Sequence, residues 1–296
     1  VKQKQVIVIT GPTAVGKTEA TIQLAAAQGL EIISCDSRQF YREMNIGTAK
    51  PSDAELSQAP HHFINSLSIG DSYSAGDFER DGLMVLDECF SRNNMAIVSG
   101  GSGLYIKALC SGLDVFPEVP RDLFEEISAY SLEKLQKAVG EEDPKYYQEV
   151  DVFNKHRLVR ALSVIKVSGK PFSSFRSGKS SYRPFSVKYI ILNRDREELY
   201  KRINHRVDQM IEAGLVEEAR SLFEFKDLKS LQTVGYQEIF SFLAGNCRLE
   251  EAVELIKRNS RRYAKRQLTW FRKLEGALWM HPDEFISKIK IDEAPI

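Results

Sequence analysis

The stretch Val6-Ile7-Val8-Ile9-Thr10-Gly11-Pro12-Thr13-Ala14-Val15-Gly16-Lys17-Thr18 decides the fold. Four β-branched residues in a row read as a buried strand, and Gly11 to Thr18 matches G-x-x-x-x-G-K-[ST] in full. From Thr18 to Gln28, Ile22, Leu24 and Ala25 to Ala27 follow a helical pattern. Strand, loop, helix is the context this motif needs. The glycines let backbone N–H groups converge on phosphate oxygens, the helix N-terminus adds its dipole, Lys17 adds a point charge, and the Thr18 hydroxyl can bind Mg²⁺. Gly11, Pro12, Thr13, Ala14, Val15, Gly16, Lys17 and Thr18 are thus the candidate diphosphate site, preferred over a plain glycine turn.

Outward from that stretch, Ile32-Ile33-Ser34 reads as a second strand ending at Asp36, and Ala96-Ile97-Val98-Ser99 as a third ending at Gly100-Gly101. Val187 to Leu192 reads as a fourth. Such strands, spaced by helical segments, predict an α/β fold of the P-loop NTPase-like type: a parallel sheet flanked by helices, with ligands beyond the carboxyl ends of the strands. More than eighty residues separate the third strand from the fourth, too many for one crossover. Residues 113–183 are therefore expected to be a helical insertion, with helices at Glu133 to Val139 and Arg157 to Val167, closing in a mobile basic loop from Ser168 to Ser186. The core would be 1–112 with 184–296, the smaller excursion 47–74 being a candidate addition to the insertion. Ala75 to Cys89 reads as a helix, and the chain after Leu192 as helical almost to its end.

Composition bounds the rest. The chain has 296 residues, 43% apolar and 28% charged, which is ordinary for a globular protein. No apolar run approaches the roughly 18 residues of a membrane span, and no signal-peptide pattern opens the sequence, so a cytoplasmic protein without a membrane partner, and a monomer, is expected. Cys35, Cys89, Cys110 and Cys247 are far apart and read as free thiols. Forty-one basic residues balance 41 acidic ones, yet Lys257 to Lys273 holds eight basic residues and no acid. On a helix, Lys257, Arg261 and Lys265 share one row and Arg258, Arg262 and Arg266 the next, a basic face suited to nucleic-acid phosphates. Tyr263 and Trp270 within it could stack on bases or pack on the core.

A P-loop names a ligand class and leaves the reaction open. A nucleotide kinase would supply a Walker B acid after an apolar strand. Leu83-Met84-Val85-Leu86-Asp87-Glu88 offers one, but Phe78, Leu83, Leu86 and Phe90 fall on one helical face, so a helix is favoured. Asp36, at a strand's carboxyl end, is aimed at the same crevice as the loop, where a carboxylate could bind metal, accept a proton or cap a turn. His61-His62 suggests a metal pair, but adjacent side chains point apart and no third ligand is spaced to help, so a structural use is favoured.

Ordered blocks then carry a resemblance: Gly11 to Thr18, Asp36-Ser37-Arg38-Gln39-Phe40-Tyr41, Asn45 to Pro51, His61-His62, Tyr73 to Phe78, Gly100 to Tyr105, Arg157 to Leu162, Val234-Gly235-Tyr236 and Tyr263 to Gln267. Over essentially its whole length the chain closely resembles the bacterial tRNA dimethylallyltransferase (tRNA isopentenyltransferase) family. The resemblance implies transfer of a dimethylallyl group from dimethylallyl diphosphate to N6 of adenosine 37, in tRNAs reading codons that start with U, with release of diphosphate and help from Mg²⁺. It implies Asp36 as the base, Lys17 and the loop as holders of the diphosphate, and Arg206 as their assistant. Ser102 would guide the adenine, standing where the family has threonine: the hydroxyl survives and the methyl is lost.

For tRNA the resemblance implies Asp36, Ser37, Arg38, Gln39 and Ser102. It adds His156, Arg157 and Arg160, with histidine where relatives commonly have glutamine, and Gln232, Thr233, Gly235 and Tyr236. On the basic helix it adds Lys265, Arg266, Gln267, Trp270 and Arg272. An adenine stacked in an anticodon loop must be extruded to reach a base, so a channel with tRNA at one mouth and diphosphate at the other is expected. The competing readings are an adenylate isopentenyltransferase acting on free AMP, ADP or ATP, a P-loop nucleotide kinase, and a non-catalytic RNA-binding module.

Overall fold

The computed structural model describes residues 3–178 and 180–291. The chain divides into two compact units, Val1–Ser111 with Arg183–Ile296, and Gly112–Tyr182. Lys179, in the expected mobile loop, and residues 292–296, at the end of the expected core, lie outside the described residues.

In the first unit, six strands among the described residues form one sheet in the order β3-β2-β4-β1-β5-β6. They are β1 (Gln5–Thr10), β2 (Ile32–Ser34), β3 (His61–His62), β4 (Met95–Gly100), β5 (Ser186–Leu192) and β6 (Leu278–Met280), and every pairing is parallel. The parallel α/β architecture expected from the sequence is the architecture observed. β1 lies at the centre, in register with β4 from Gln5↔Met95 to Thr10↔Gly100. Its side chains alternate between two cores. Ile7 and Ile9 pack with α1 (Lys17–Gln28), while Val6 and Val8 face the other side. Burial on both faces explains why Val6 to Ile9 holds no polar residue.

The helices follow as α2 (Asp53–Leu56), α3 (Ala75–Arg92) and α4 (Gly103–Ser111). The candidate Walker B run lies within α3, with Phe78, Leu86 and Phe90 buried and Asp87 exposed, so no strand presents that acid. After β5 come α9 (Arg196–Glu212), α10 (Leu215–Ser221), α11 (Tyr236–Leu243), α12 (Leu249–Phe271) and α13 (Pro282–Ile291), with α5 to α8 in the second unit. Two strands depart from the sequence reading. β3 sits in the excursion 47–74, and β6 interrupts the expected helical tail by pairing Ile190↔Leu278 at the sheet edge. Two and three residues are too few to show a period-two pattern.

The second unit is helical: α5 (Arg121–Ser128), α6 (Leu132–Glu142), α7 (Pro144–Glu149) and α8 (Lys155–Ser168) around Leu135, Val139, Leu158, Leu162 and Ile165. The stretch expected to be mobile from Ser168 is anchored over its first half. Phe172 is buried, and Ser173 donates to the buried Asp143 carboxylate through its N–H (2.7 Å) and its hydroxyl (2.9 Å). Among the described residues no helix is long and apolar enough to cross a membrane.

Candidate active site

The site is built where the carboxyl ends of β1, β2 and β4 meet. β1 leads into the phosphate loop, which enters α1 through Gly16 at φ +108°, a conformation that costs glycine little and other residues much. Ala14 holds φ +63° without that freedom, a strain that persists only where the surroundings impose it. Here three arginines do so. Arg194 Nε donates to Val15 O (2.9 Å), Arg202 Nε to Ala14 O (2.9 Å) and Arg206 Nη1 to Thr13 Oγ1 (3.3 Å). Lys17 Nζ donates to Gly11 O (3.0 Å) and Pro12 O (2.9 Å), which folds its ammonium back over the loop.

Burial pushes Lys17 down to about 8, the Arg206 cation adds to the effect, and the Asp36 carboxylate opposes it. Burial also lowers Arg206, again against Asp36. Two partly buried cations therefore share one cavity, with the Asp36 carboxylate acting on both. Such a pair of cations attracts an anion.

Asp36 arrives there because of a glycine on the next strand. A Cβ on Gly100 would lie 2.1 Å from Cys35 O, so only glycine lets the end of β4 come this close to the end of β2. Cys35 N then donates to Ser99 O (2.7 Å), and Ser102 N to Cys35 O (3.3 Å). Ser102 Oγ accepts from Ser37 N (3.1 Å) and donates to Ser37 Oγ (3.3 Å). Asp36 Oδ1 accepts from Arg38 N (3.0 Å), so the capping and functional readings coexist: one oxygen fixes the turn and leaves the other available.

Gln267 on α12 joins the two halves. Its Oε1 accepts from Thr13 N (2.9 Å) and its Nε2 donates to Gly101 O (2.9 Å), with the residue only 6% exposed. Tyr263, one turn earlier, lines the same space, its phenol pushed up to about 12 by burial and by Asp36.

The resulting cavity is about 530 Å³. Thr13 to Thr18, Asp36, Ser37, Arg38, Gln39, Arg206, Thr233, Gly235 and Gln267 line it, so most of the expected site is brought together. Gly11 and Pro12 stand behind it as carbonyl acceptors for Lys17, and Ser102 stands behind Ser37. Other expectations are placed elsewhere. Tyr236 is fully buried, donating to Glu218 (2.6 Å) against Gly47, so its side chain reaches no surface where RNA could touch it. Trp270 packs its ring where a Cβ on Gly103 would be 2.3 Å away, and edge-on to Phe271. Gln232 Nε2 donates to Lys226 O (2.6 Å), and Arg38 Nη1 to Lys229 O (3.0 Å) and Ser230 O (2.9 Å). His156, Arg157 and Arg160 are exposed on α8 of the second unit.

The basic face of α12 is narrower than its sequence suggests. Lys257 pairs with Asp208 (2.8 Å) and Arg261 donates to Asn204, both on α9. Arg258, Arg262, Lys265, Arg266 and Arg272 remain exposed, Arg266 lying 5.6 Å over the Tyr263 ring. The histidine pair splits as expected. His62 Nε2 meets Glu31 (2.8 Å), which accepts from Arg92 (2.7 Å). Glu31, His62 and Cys89 have ligand atoms within 4.8 Å of one another, but Arg92 occupies the carboxylate and burial raises the thiol to about 11. An ion-pair clip results.

Sequence reasoning missed Arg194, Arg202 and His205. Arg202, His205 and Arg206 stand at i, i+3 and i+4 on α9, a stripe hidden in a helix rich in both charges. It also passed over Glu218, whose carboxylate accepts from the N–H groups of Asn45 (3.1 Å), Ile46 (2.8 Å) and Gly47 (3.0 Å) and so shapes the cavity rim at Gly47 to Ala49.

A parallel sheet feeding a glycine loop into a cation-walled cavity defines an α/β protein of the P-loop-like fold. The IPP transferase family model matches residues 39–274, and the chain belongs to that family. It is 51% identical over 280 residues to a tRNA dimethylallyltransferase of Christiangramia forsetii, covering 93% of each chain. The full-length tRNA isopentenylpyrophosphate transferase of Bacillus halodurans superposes with a TM-score of 0.72 at 37% identity, over 97% of this chain and 94% of that one. A eukaryotic dimethylallyltransferase described as acting on tRNA superposes with a TM-score of 0.78 at 27% identity, over 90% and 69%.

Proposed function

We infer that this chain is a tRNA prenyltransferase, moving a dimethylallyl group from dimethylallyl diphosphate to N6 of adenosine 37. The observation that carries this reading is one carboxylate, Asp36, facing the cavity where Lys17, Arg206 and the phosphate loop gather positive charge. Adenine N6 is a weak nucleophile because its lone pair is delocalised into the ring. It needs both a base and a good leaving group. Asp36 takes the N6 proton, Ser102 directs the adenine through Ser37, and Lys17, Arg206 and Thr13 to Thr18 hold the diphosphate as its charge grows.

Thr18 presents a hydroxyl at the start of α1 in the same cavity, a hard oxygen donor that suits Mg²⁺ completed by diphosphate oxygens and water. Bound there, Mg²⁺ would neutralise charge on the departing diphosphate. The exposed cations of α12, and Arg157 and Arg160 on α8, would hold the anticodon arm through its phosphates.

The test offers labelled dimethylallyl diphosphate to three acceptors in parallel. Label on a tRNA carrying A36, A37 and A38 is the expected result. Label on free AMP, ADP or ATP alone would favour the adenylate enzyme, and turnover of ATP without prenyl transfer would favour a kinase.

A further inference from the structure

His61 has no part in the chemistry above, and the fate of one proton is likewise open. In the transfer an N6–C bond forms, the C–O bond to diphosphate breaks with its electron pair on oxygen, and an N6 proton passes to Asp36. A carboxylate is a weak place to leave it.

Asp36 lines two cavities. The larger takes the substrates in the reading above. The smaller, about 50 Å³, is lined by Asp36, Thr18, Ser34, Gln39, Ser99 and His61, among others. Eight of its twelve lining residues carry polar side chains, and at ~10–15 Å³ for each water it has room for about three. His61 stands on the edge strand β3, half-buried, with Nδ1 2.7 Å from Ala59 O. A carbonyl only accepts, so Nδ1 carries the hydrogen and Nε2 of the neutral ring carries the lone pair. Burial lowers its pKa below the usual histidine value. His62 adds to this, while the Ala59 bond and Glu55 oppose it. Lys17 and Asp36 are the other charged groups lining the cavity. His61, its lone pair on Nε2 and its pKa held below the usual value, thus shares a water-sized cavity with the base.

We propose that His61 is a proton relay: as Asp36 takes the proton from N6, water in the small cavity carries a proton on to His61 Nε2. Asp36 returns to carboxylate and His61 becomes imidazolium, so charge and atoms balance while the substrates still fill the larger cavity. The proposal rests on the prenyl-transfer reading and on Asp36 as its base.

The test is His61→Gln, which keeps a polar side chain and cannot take the proton. In a variant with wild-type melting temperature and tRNA affinity, single-turnover prenyl transfer at pH 7 slows about tenfold or more. Added imidazole restores part of the loss. The wild-type rate falls with decreasing pH as His61 gains its proton and loses the lone pair, and that limb is missing from the variant's profile. A wild-type rate in the variant overturns the proposal, as does a slowed rate with an unchanged low-pH limb and no imidazole response.

If the variant does not fold, ¹⁵N-histidine NMR of the wild type decides. A neutral ring with Nδ1–H at pH 7 is expected, and an Nε2–H tautomer or an imidazolium overturns the relay. Failure of the wild type to prenylate tRNA would instead remove the reading of function beneath it.

Discussion

One wall of the cavity comes from a single stretch, Thr13 to Thr18, and the wall facing it is assembled from α9 and α12, whose bonds to that loop span 188 to 254 residues of sequence. The loop is local: a strand, two glycines and a helix N-terminus specify an anion site wherever they occur in this order. The opposite wall is not. Arg202, Arg206 and Gln267 act on the loop only because their helices pack over it. The contrast separates two tasks. On the proposed function, the local element fixes what is bound, and the distant residues, with Asp36 between, fix what is done to it.

The comparison is broken most severely at Asp36. Asp36→Ala should slow single-turnover prenyl transfer by about 10²- to 10⁴-fold while tRNA affinity, measured by filter binding, stays near wild type. On the loop, Lys17→Ala should cost about 10²-fold in transfer, because a charge on the developing diphosphate is lost. Arg206→Ala should approach it if both cations act on the same oxygens, and steady-state kinetics with varied dimethylallyl diphosphate would tell.

Gln267→Ala strips the partner from Thr13 N and Gly101 O at once. About 1–3 kcal/mol of stability should disappear in urea unfolding, with transfer slowed as the loop loosens. Smaller again is the pH effect on Lys17. Its pKa is lowered to about 8, so in the free protein it loses charge as pH rises through 8. Affinity for dimethylallyl diphosphate should weaken there, and calorimetry in buffers of different ionisation heat should detect proton uptake on binding. The unfolded chain binds more protons between about 8 and the ordinary value of 10.5, so the burial cost is relieved across that window and ligand-free stability gains with pH. The least effect is at the rim: Lys265→Ala should lower the salt slope of tRNA binding by about 1 and leave dimethylallyl diphosphate affinity unchanged.

What was legible in the sequence follows the same division. The strands flanking the loop are buried on both faces, so runs such as Val6 to Ile9 stand out, and the octet at Gly11 needs no partner to be read. Asp36 was legible from its place at a strand end. The bond that makes Gln267 a clamp was not, because a buried glutamine in a basic helix resembles its exposed neighbours until the packing is known. The basic row of α12 misled in part, since Lys257 and Arg261 turn toward Asp208 and Asn204, acceptors some fifty residues earlier in the chain. Tyr236 misled for a like reason: the motif names the residue, and only burial shows that it supports Gly47 from below. β6 was invisible because three residues on a sheet edge, with Leu278 and Trp279 about two-fifths exposed, leave no pattern.

The central claim is that the loop holds a diphosphate that departs while Asp36 deprotonates the acceptor. Mass spectrometry of an A37-containing tRNA, incubated with the folded protein, Mg²⁺ and dimethylallyl diphosphate, tests it most directly. The expected result is a gain of one dimethylallyl group on the fragment containing A37, absent with Asp36→Ala. An unchanged tRNA mass with the wild-type protein would contradict it.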